Sequence, residues 1–330
     1  MDLKTKDVKI KINLPTRLFK ISVCMVSCLL LQQATLYAQD STAVAKETAA
    51  PVKAKPVKNT FQSIWIIDNQ SVMVPFKGTF EMYIQHRFGT INNGYSDFWG
   101  LYASSNIRIG VDYAPINNLY LGLGFEKYNE IWDGSAKYAI IKQTPGKYPV
   151  SITYYGDLSL DTRADPTKDL FNHYSDRMLS FNQIIIARKF SDKLSLQVAP
   201  SITHQNAVAG YLTKNDSTGR TVFEEMKHDH FAVAISGRYK IGEASAILIN
   251  YDQPLTRHAT NNPSPNLSFG YEVSTSGHTF QIFMGNYSLL NAGRNNLFNT
   301  NSAFNYTQFD GTKVKGGKFV IGFNITRLWN

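Results

Sequence analysis

From Gly78 onward, apolar and polar residues alternate with a period of two in segments about ten residues long, each closed off by turn-forming residues. Twelve segments carry the pattern: 78–88, 104–114, 118–128, 134–144, 149–159, 179–190, 193–204, 229–240, 243–252, 267–275, 277–286 and 317–329. In the second, Ile107, Ile109, Val111 and Tyr113 share one phase and Asn106, Arg108, Gly110 and Asp112 the other. In the third, Leu119, Leu121, Leu123 and Phe125 oppose Tyr120, Gly122, Gly124 and Glu126. In the eighth, Phe231, Val233, Ile235 and Tyr239 oppose Ala232, Ala234, Ser236 and Arg238. Such strands suit a two-layer sandwich with wet outer faces. They equally suit a membrane barrel, because tilted strands of about ten residues cross roughly 25 Å of hydrocarbon.

The connections separate the two. Those after segments 2, 4, 6, 8 and 10 are short; those after 1, 5, 7, 9 and 11 are long, and the one after 3 is intermediate. A sandwich has no reason to sort loop length by strand parity, whereas an outer-membrane barrel has tight turns on one rim and surface loops on the other. The expected fold is all-β: an antiparallel up-and-down transmembrane barrel over 78–330, of about twelve strands, with both termini periplasmic.

The N-terminal residues read as an address. A basic stretch with Lys4, Lys6, Lys9, Lys11, Arg17 and Lys20 leads into an apolar run, Ile21 to Leu31, too short to span a bilayer as a helix. Leu36-Tyr37-Ala38 places a small residue for cleavage, so 1–38 is expected to be a signal peptide cut after Ala38. Acylation at Cys28 is disfavoured because Leu29, Leu30 and Leu31 continue the apolar run. Both cysteines, Cys24 and Cys28, fall in this segment, which removes disulfides and thiolate chemistry from the mature chain. Without residues 1–38 the formal charge falls from +9 to +5, with 28 basic against 23 acidic residues. The basic residues are scattered, which is no footprint for nucleic acid.

Residues 39–58, rich in Ala, Pro, Lys and Thr, are expected to form a flexible periplasmic linker, open to a periplasmic partner. Residues 59–77 are apolar but interrupted by Asp68-Asn69-Gln70-Ser71 and by Pro75. They suit a plug, a cap or an extra strand, with Trp65, Ile66, Ile67, Met73 and Phe76 as the plug candidates.

The 18 tyrosines and 20 phenylalanines fit interfacial girdles. "YIQHRFG" (83–89), "IIIARKFSDKLSLQVAPS" (184–201), "GRYKI" (237–241) and "SGHTFQI" (276–282), with the aromatic end, resemble a family of Gram-negative outer-membrane β-barrel proteins. The resemblance covers roughly residues 60–330. It implies an outer-membrane barrel and brings no catalytic residues with it.

If the apolar phase meets lipid, the lumen receives Glu81, Gln85, Arg87, Arg108, Asp112, Glu126, Asp157, Arg188, Arg238, Asp252 and Glu272. Arg–carboxylate pairs there would either fill the interior or line a narrow selective path. Enzymatic constellations are weak. His173 and Ser175 have the spacing of outer-membrane phospholipases, but they sit in a polar loop with no group to orient the histidine. His228 and His230 lack a third metal ligand. His86 and His204 both stand at strand ends, where they could approach one another. The glycines of "GLGFE" (122–126) alternate along a strand, which makes them wall packing and not a phosphate loop.

The expected function is therefore a passive pore or small-solute channel, with no enzymatic activity, cofactor or metal. The alternatives are a closed structural barrel, a plugged transporter of hydrophobic molecules like the outer-membrane fatty-acid transporters, and, least, a surface lipid hydrolase. Its expected partners are outer-membrane lipid and the barrel-assembly machinery. Phe319, Ile321, Phe323, Ile325 and Trp329 resemble the C-terminal assembly signal, with Asn330 departing from its aromatic finish.

Overall fold

A strand with one apolar face still has backbone N–H and C=O groups to satisfy, and within a bilayer only a closed ring of strands pairs them all. The computed structural model, which describes residues 54–166, 170–214, 218–258, 262–307 and 313–329, contains such a ring. In chain order its strands are β1 (Phe80–Thr90), β2 (Asn106–Ile116), β3 (Leu119–Glu126), β4 (Ile131–Ile141), β5 (Ser151–Asp161) and β6 (Met178–Lys189). They continue as β7 (Leu194–Gln205), β8 (Asp229–Lys240), β9 (Ser245–Pro254), β10 (Asn266–Ser274), β11 (His278–Gly285) and β12 (Val320–Trp329). Each pairs antiparallel with its neighbours in sequence, and β12 closes on β1 through pairs such as Trp329 with Phe80 and Ile325 with Ile84. Every stretch of period-two alternation has become a strand, its ends within three residues of the periodicity.

The phases separate as the alternation requires. Ile109, Val111 and Tyr113 of β2 are exposed on the outside, while Arg108 and Asp112 between them are buried inside. Outward aromatics gather near both ends of the strands, with Phe80 against Trp329 at one rim and Phe125 against Trp132 at the other. The rims differ in their connections. The turn rim carries 117–118, 142–150, 190–193, 241–244 and 275–277; the loop rim carries 91–105, 127–130, 162–177, 206–228, 255–265 and 286–319. The tightest turn works because Asn118, at φ 73°, takes the left-handed conformation that a two-residue hairpin needs.

Two inserts occupy the ring. The first precedes β1: residues 60–72 are almost wholly buried and fold as a small hairpin, Trp65–Ile66 against Asn69–Gln70, closed by Ser71 Oγ donating to Ser63 O at 2.7 Å. Its apolar residues divide between two clusters. Phe61, Ile66, Ile67 and Val72 pack with Tyr155, Phe181 and Ile185; Ile64 and Trp65 pack with Tyr83, Ala114 and Tyr120. At the hairpin tip Ile67 has φ 60°, a left-handed backbone that a β-branched residue rarely takes. The link to β1 passes through Gly78 at φ 91°, where the absence of a Cβ makes the bend affordable.

The second insert comes from the connection between β11 and β12. It turns inward as helix α1 (Ala292–Phe298), whose N-cap Asn291 accepts the Arg294 amide proton at 3.2 Å.

Candidate functional site

The lumen is where wall and inserts meet. The first insert is tied to seven of the twelve strands by polar bonds. At its tip, Asp68 forms a buried ion pair with Arg87 of β1, whose guanidinium also donates to Asn324 Oδ1 at 3.1 Å and lies 4.3 Å from the centre of the Phe283 ring. Asn69 donates to Asn250 Oδ1 (2.9 Å) and Asp252 Oδ1 (2.7 Å) of β9. Gln70 accepts from Lys137 Nζ of β4 through its side chain (2.9 Å) and from Gln197 of β7 through its carbonyl (2.8 Å). Backbone carbonyls take the rest: Trp65 O from Gln281 of β11, Ile67 O from Asn324 of β12 and Val72 O from Thr153 of β5. A hairpin this short cannot pair its own backbone, and each unpaired buried group would cost about 1–3 kcal/mol, so the wall's amides and hydroxyls supply the partners.

The wall has its own ladder. Arg108 is held by Asp133 in a two-bond fork, donates to Gln85 Oε1 at 3.2 Å, and lies 5.0 Å from the Tyr83 ring centre and 5.4 Å from that of Trp65. Tyr120 donates to Glu81, and Arg238 Nε to Glu272 at 2.7 Å. The alternating glycines of β3 leave room for this. A Cβ on Gly124 would come within 2.4 Å of Arg108 Nη2, and one on Gly122 within 2.2 Å of Asp112 Oδ1.

The second insert binds the opposite end of the lumen with amides. Asn291 donates to Asp157 Oδ1 (2.9 Å) and Ser159 Oγ (3.2 Å), the Leu290 amide to Glu126 Oε1 (3.2 Å), and Asn266 of β10 to Asn296 Oδ1 (2.9 Å). Where the two inserts meet, between Asp68-Asn69-Gln70 and Leu290-Asn291-Ala292, a cavity of about 20 Å³ remains. That is room for one water. A larger cavity of about 310 Å³ opens at the loop rim among Tyr128, Phe171, Arg177, Arg294 and Phe298. Burial lowers the Arg294 pKa, with Glu126 and Asp161 pulling the other way; the Asp161 hydrogen bond raises that of Arg163 beside it.

Of the residues assigned to the lumen from sequence, Glu81, Gln85, Arg87, Arg108, Asp112, Glu126, Asp157, Asp252 and Glu272 are buried inside the ring, with Arg238 mostly so. Arg188 is not among them. In β6 the inward phase holds Phe181, Gln183, Ile185 and Ala187, so Arg188 points outward, over the Phe190 ring at 5.2 Å beside the turn rim. A long cationic side chain near an interface can place its charge in the headgroup layer. Among the plug candidates, Trp65, Ile66 and Ile67 are fully buried and Met73 is partly buried against both clusters. Phe76 is 79% exposed, beyond the hairpin on the way to β1, and belongs to no plug. Five residues that hold the lumen together were missed: Asp133 and Lys137, and the polar tip Asp68, Asn69 and Gln70. Their signal was present, because a polar run inside an apolar segment needs polar partners.

The outward phase of β12 carries Ile321, Phe323, Ile325 and Trp329, with Phe319 just before it against Phe269. The cleavage position after Ala38 and most of the 39–58 segment lie outside the described residues.

The histidine constellations disperse. His173 precedes a 3₁₀ turn, Tyr174–Arg177, in which its amide donates to Asp176, so it and Ser175 do not share the face of an extended strand. His86 stacks on Phe323 at 5.0 Å, six strands around the ring from His204, and the two cannot approach. His204 stacks on His228, and His230 stacks separately on His258. No group of three or more metal-ligating side chains occurs among the described residues.

No curated protein matches the sequence. Among solved structures, the NanC porin is similar at 9% identity and a TM-score of 0.42, over 76% of this chain and 98% of that one. An outer membrane channel from Pseudomonas putida F1 is similar at 10% identity and a TM-score of 0.44, over 78% and 97%. The CymD monoaromatic hydrocarbon channel follows at 10% and 0.33, over 78% and 90%. The model of one family matches residues 61–329, which take in the first insert from Phe61 onward and the whole of β12. A closed ring with an apolar exterior and a charged interior agrees with that family's description, and the chain belongs to it: the membrane bound beta barrel domain family, DUF5777.

Proposed function

We propose that this membrane-bound barrel is an outer-membrane channel for small polar solutes, kept shut by its own N-terminal insert. The reading places the long loops outside and the turn rim toward the periplasm, following the usual sorting of loop lengths in such barrels. One observation carries it: the insert meets the wall through a ring of hydrogen bonds and one ion pair. Bonds of this kind exchange for bonds to water at a net cost of about 0.5–1.5 kcal/mol each. An insert held by them can leave, and the wall left behind carries the charged and amide groups that bound it, beside the apolar patch of Tyr155, Phe181 and Ile185. An open passive pore fits less well, because the lumen is occupied.

Conductance across planar bilayers tests the proposal. The intact mature chain is expected to be silent or to open rarely. Deleting residues 60–74, in protein whose heat-modifiable gel migration shows a folded barrel, is expected to give stepwise conductance, larger still when residues 289–299 are also replaced by a short linker. Silence of the folded double deletion would refute a channel and leave a closed structural barrel.

A further inference from the structure

The cavity of about 310 Å³ at the loop rim has an electrostatic arrangement the lumen does not explain. Three guanidiniums and two carboxylates line it, but both carboxylates are engaged. Asp161 is gripped by Arg163 through bonds of 3.0 and 2.9 Å, and Asp176 accepts the backbone amides of Asn172 and His173 at 3.0 and 2.8 Å. The other two cations have no carboxylate partner among the described residues. Arg177 is positioned by the carbonyls of Asp161 and Arg163, at 3.0 and 2.8 Å, and by the Phe171 ring at 4.4 Å. Arg294 is only 7% exposed, its side chain forms no hydrogen bond among the described residues, and its Nε is buried without a partner.

A buried guanidinium with no direct ion pair, its carboxylates Glu126 and Asp161 acting on it only through space, is costly, and helix α1 nevertheless turns this one toward the cavity. Apart from Asn129 and Gln205, the remaining lining is apolar and aromatic, with Tyr128, Phe298 and Leu289 beside Phe171. The size lies in the range of small-ligand pockets, which pair an apolar surface with a few placed polar groups. We infer that the loop rim carries a binding site for a small organic carboxylate with an aromatic or compact apolar body, its carboxylate received by Arg294 and Arg177. Guanidinium forks match carboxylate geometry, and charge-assisted bonds of this kind are the strong ones. The site needs no movement of the N-terminal insert, so it stands or falls separately from the channel.

Isothermal titration of the detergent-solubilised mature chain with sodium benzoate tests it, with benzamide and sodium acetate as comparisons. Saturable one-to-one binding of benzoate is expected, with benzamide and acetate each weaker by tenfold or more. Arg294→Gln is expected to weaken benzoate at least tenfold, and Arg294→Lys less, because a charge remains without the fork. Arg177→Gln supplies a second test should the first variant fold poorly, and Arg327→Gln, at the turn rim, should leave binding unchanged. No saturable binding of benzoate, or equal binding by wild type, Arg294→Gln and Arg177→Gln, would overturn the assignment. So would equal affinity for benzoate and acetate, because the apolar half of the site would then read nothing. Silence of the folded double deletion, together with intact benzoate binding by the full mature chain, would refute the channel and leave this site standing.

Discussion

The two inserts fill one lumen by different chemistry. The N-terminal hairpin brings one carboxylate and two amides to its tip and anchors them on charged wall residues, Arg87, Lys137 and Asp252. The β11–β12 insert is anchored by asparagines, with Asn291, Asn296 and Asn299 bonded to Asp157, Ser159 and Asn266. They also differ in tether: the hairpin is continuous with a barrel strand only through Gly78, its other side being bonded at the turn rim by the Val57 amide to Gln143 O at 2.8 Å, whereas the loop runs into strands at both ends. A tie that includes a buried ion pair loses more at one stroke when that pair parts than a tie spread over neutral amides does. The movable part of the lumen should therefore be the hairpin and the stationary part the loop.

The contrast is easiest to break at Asp68. Asp68→Ala leaves Arg87 buried without its counter-charge and is expected to cost about 3–5 kcal/mol of hairpin docking. Hydrogen exchange by mass spectrometry should show protection lost over 60–74 and kept in the strands. Unchanged exchange would mean that the apolar clusters, and not the ion pair, hold the insert. Asn291→Ala removes a helix cap and two wall bonds and is expected to cost about 1–2 kcal/mol, with faster exchange confined to 289–299. A loss of protection reaching the hairpin would show that the two inserts move as one. The smallest effect is expected at the tether. Gly78→Ala puts a side chain at φ 91°, in open space, and should cost about 1 kcal/mol of docking, seen as faster proteolysis ahead of β1.

What could be read from sequence follows from what alternation encodes. Period two in β2, β3 and β8 fixed which side chain faces lipid, and loop length sorted by parity fixed the rims. Alternation fails where both phases are apolar. In Ile184-Ile185-Ile186 the two phases cannot be told apart, which is how Arg188 was put on the wrong face. Ile185, packed against the hairpin, accounts for that run. Starting β4 three residues late hid Asp133, the partner of Arg108. Reading the hairpin by its greasy residues alone pointed to Phe76 and passed over Asp68, Asn69 and Gln70. Burial drives an insert inward, but polar groups decide where it docks. The inward fold of α1 was not legible, because its reach into the lumen depends on partners from β3, β5 and β10 that only the closed ring assembles.

The left-handed Ile67 has a consequence for timing. A β-branched residue in that region costs on the order of 1–2 kcal/mol, so a free hairpin would hold the docked shape roughly tenfold less often than a tip with glycine in its place. Gln281 and Asn324, which grip the amide and carbonyl of Ile67, act as a mould. In the opening proposed above, departure would release that cost, while return would have to find the mould again, so the docked shape would be regained more slowly than from a tip with glycine.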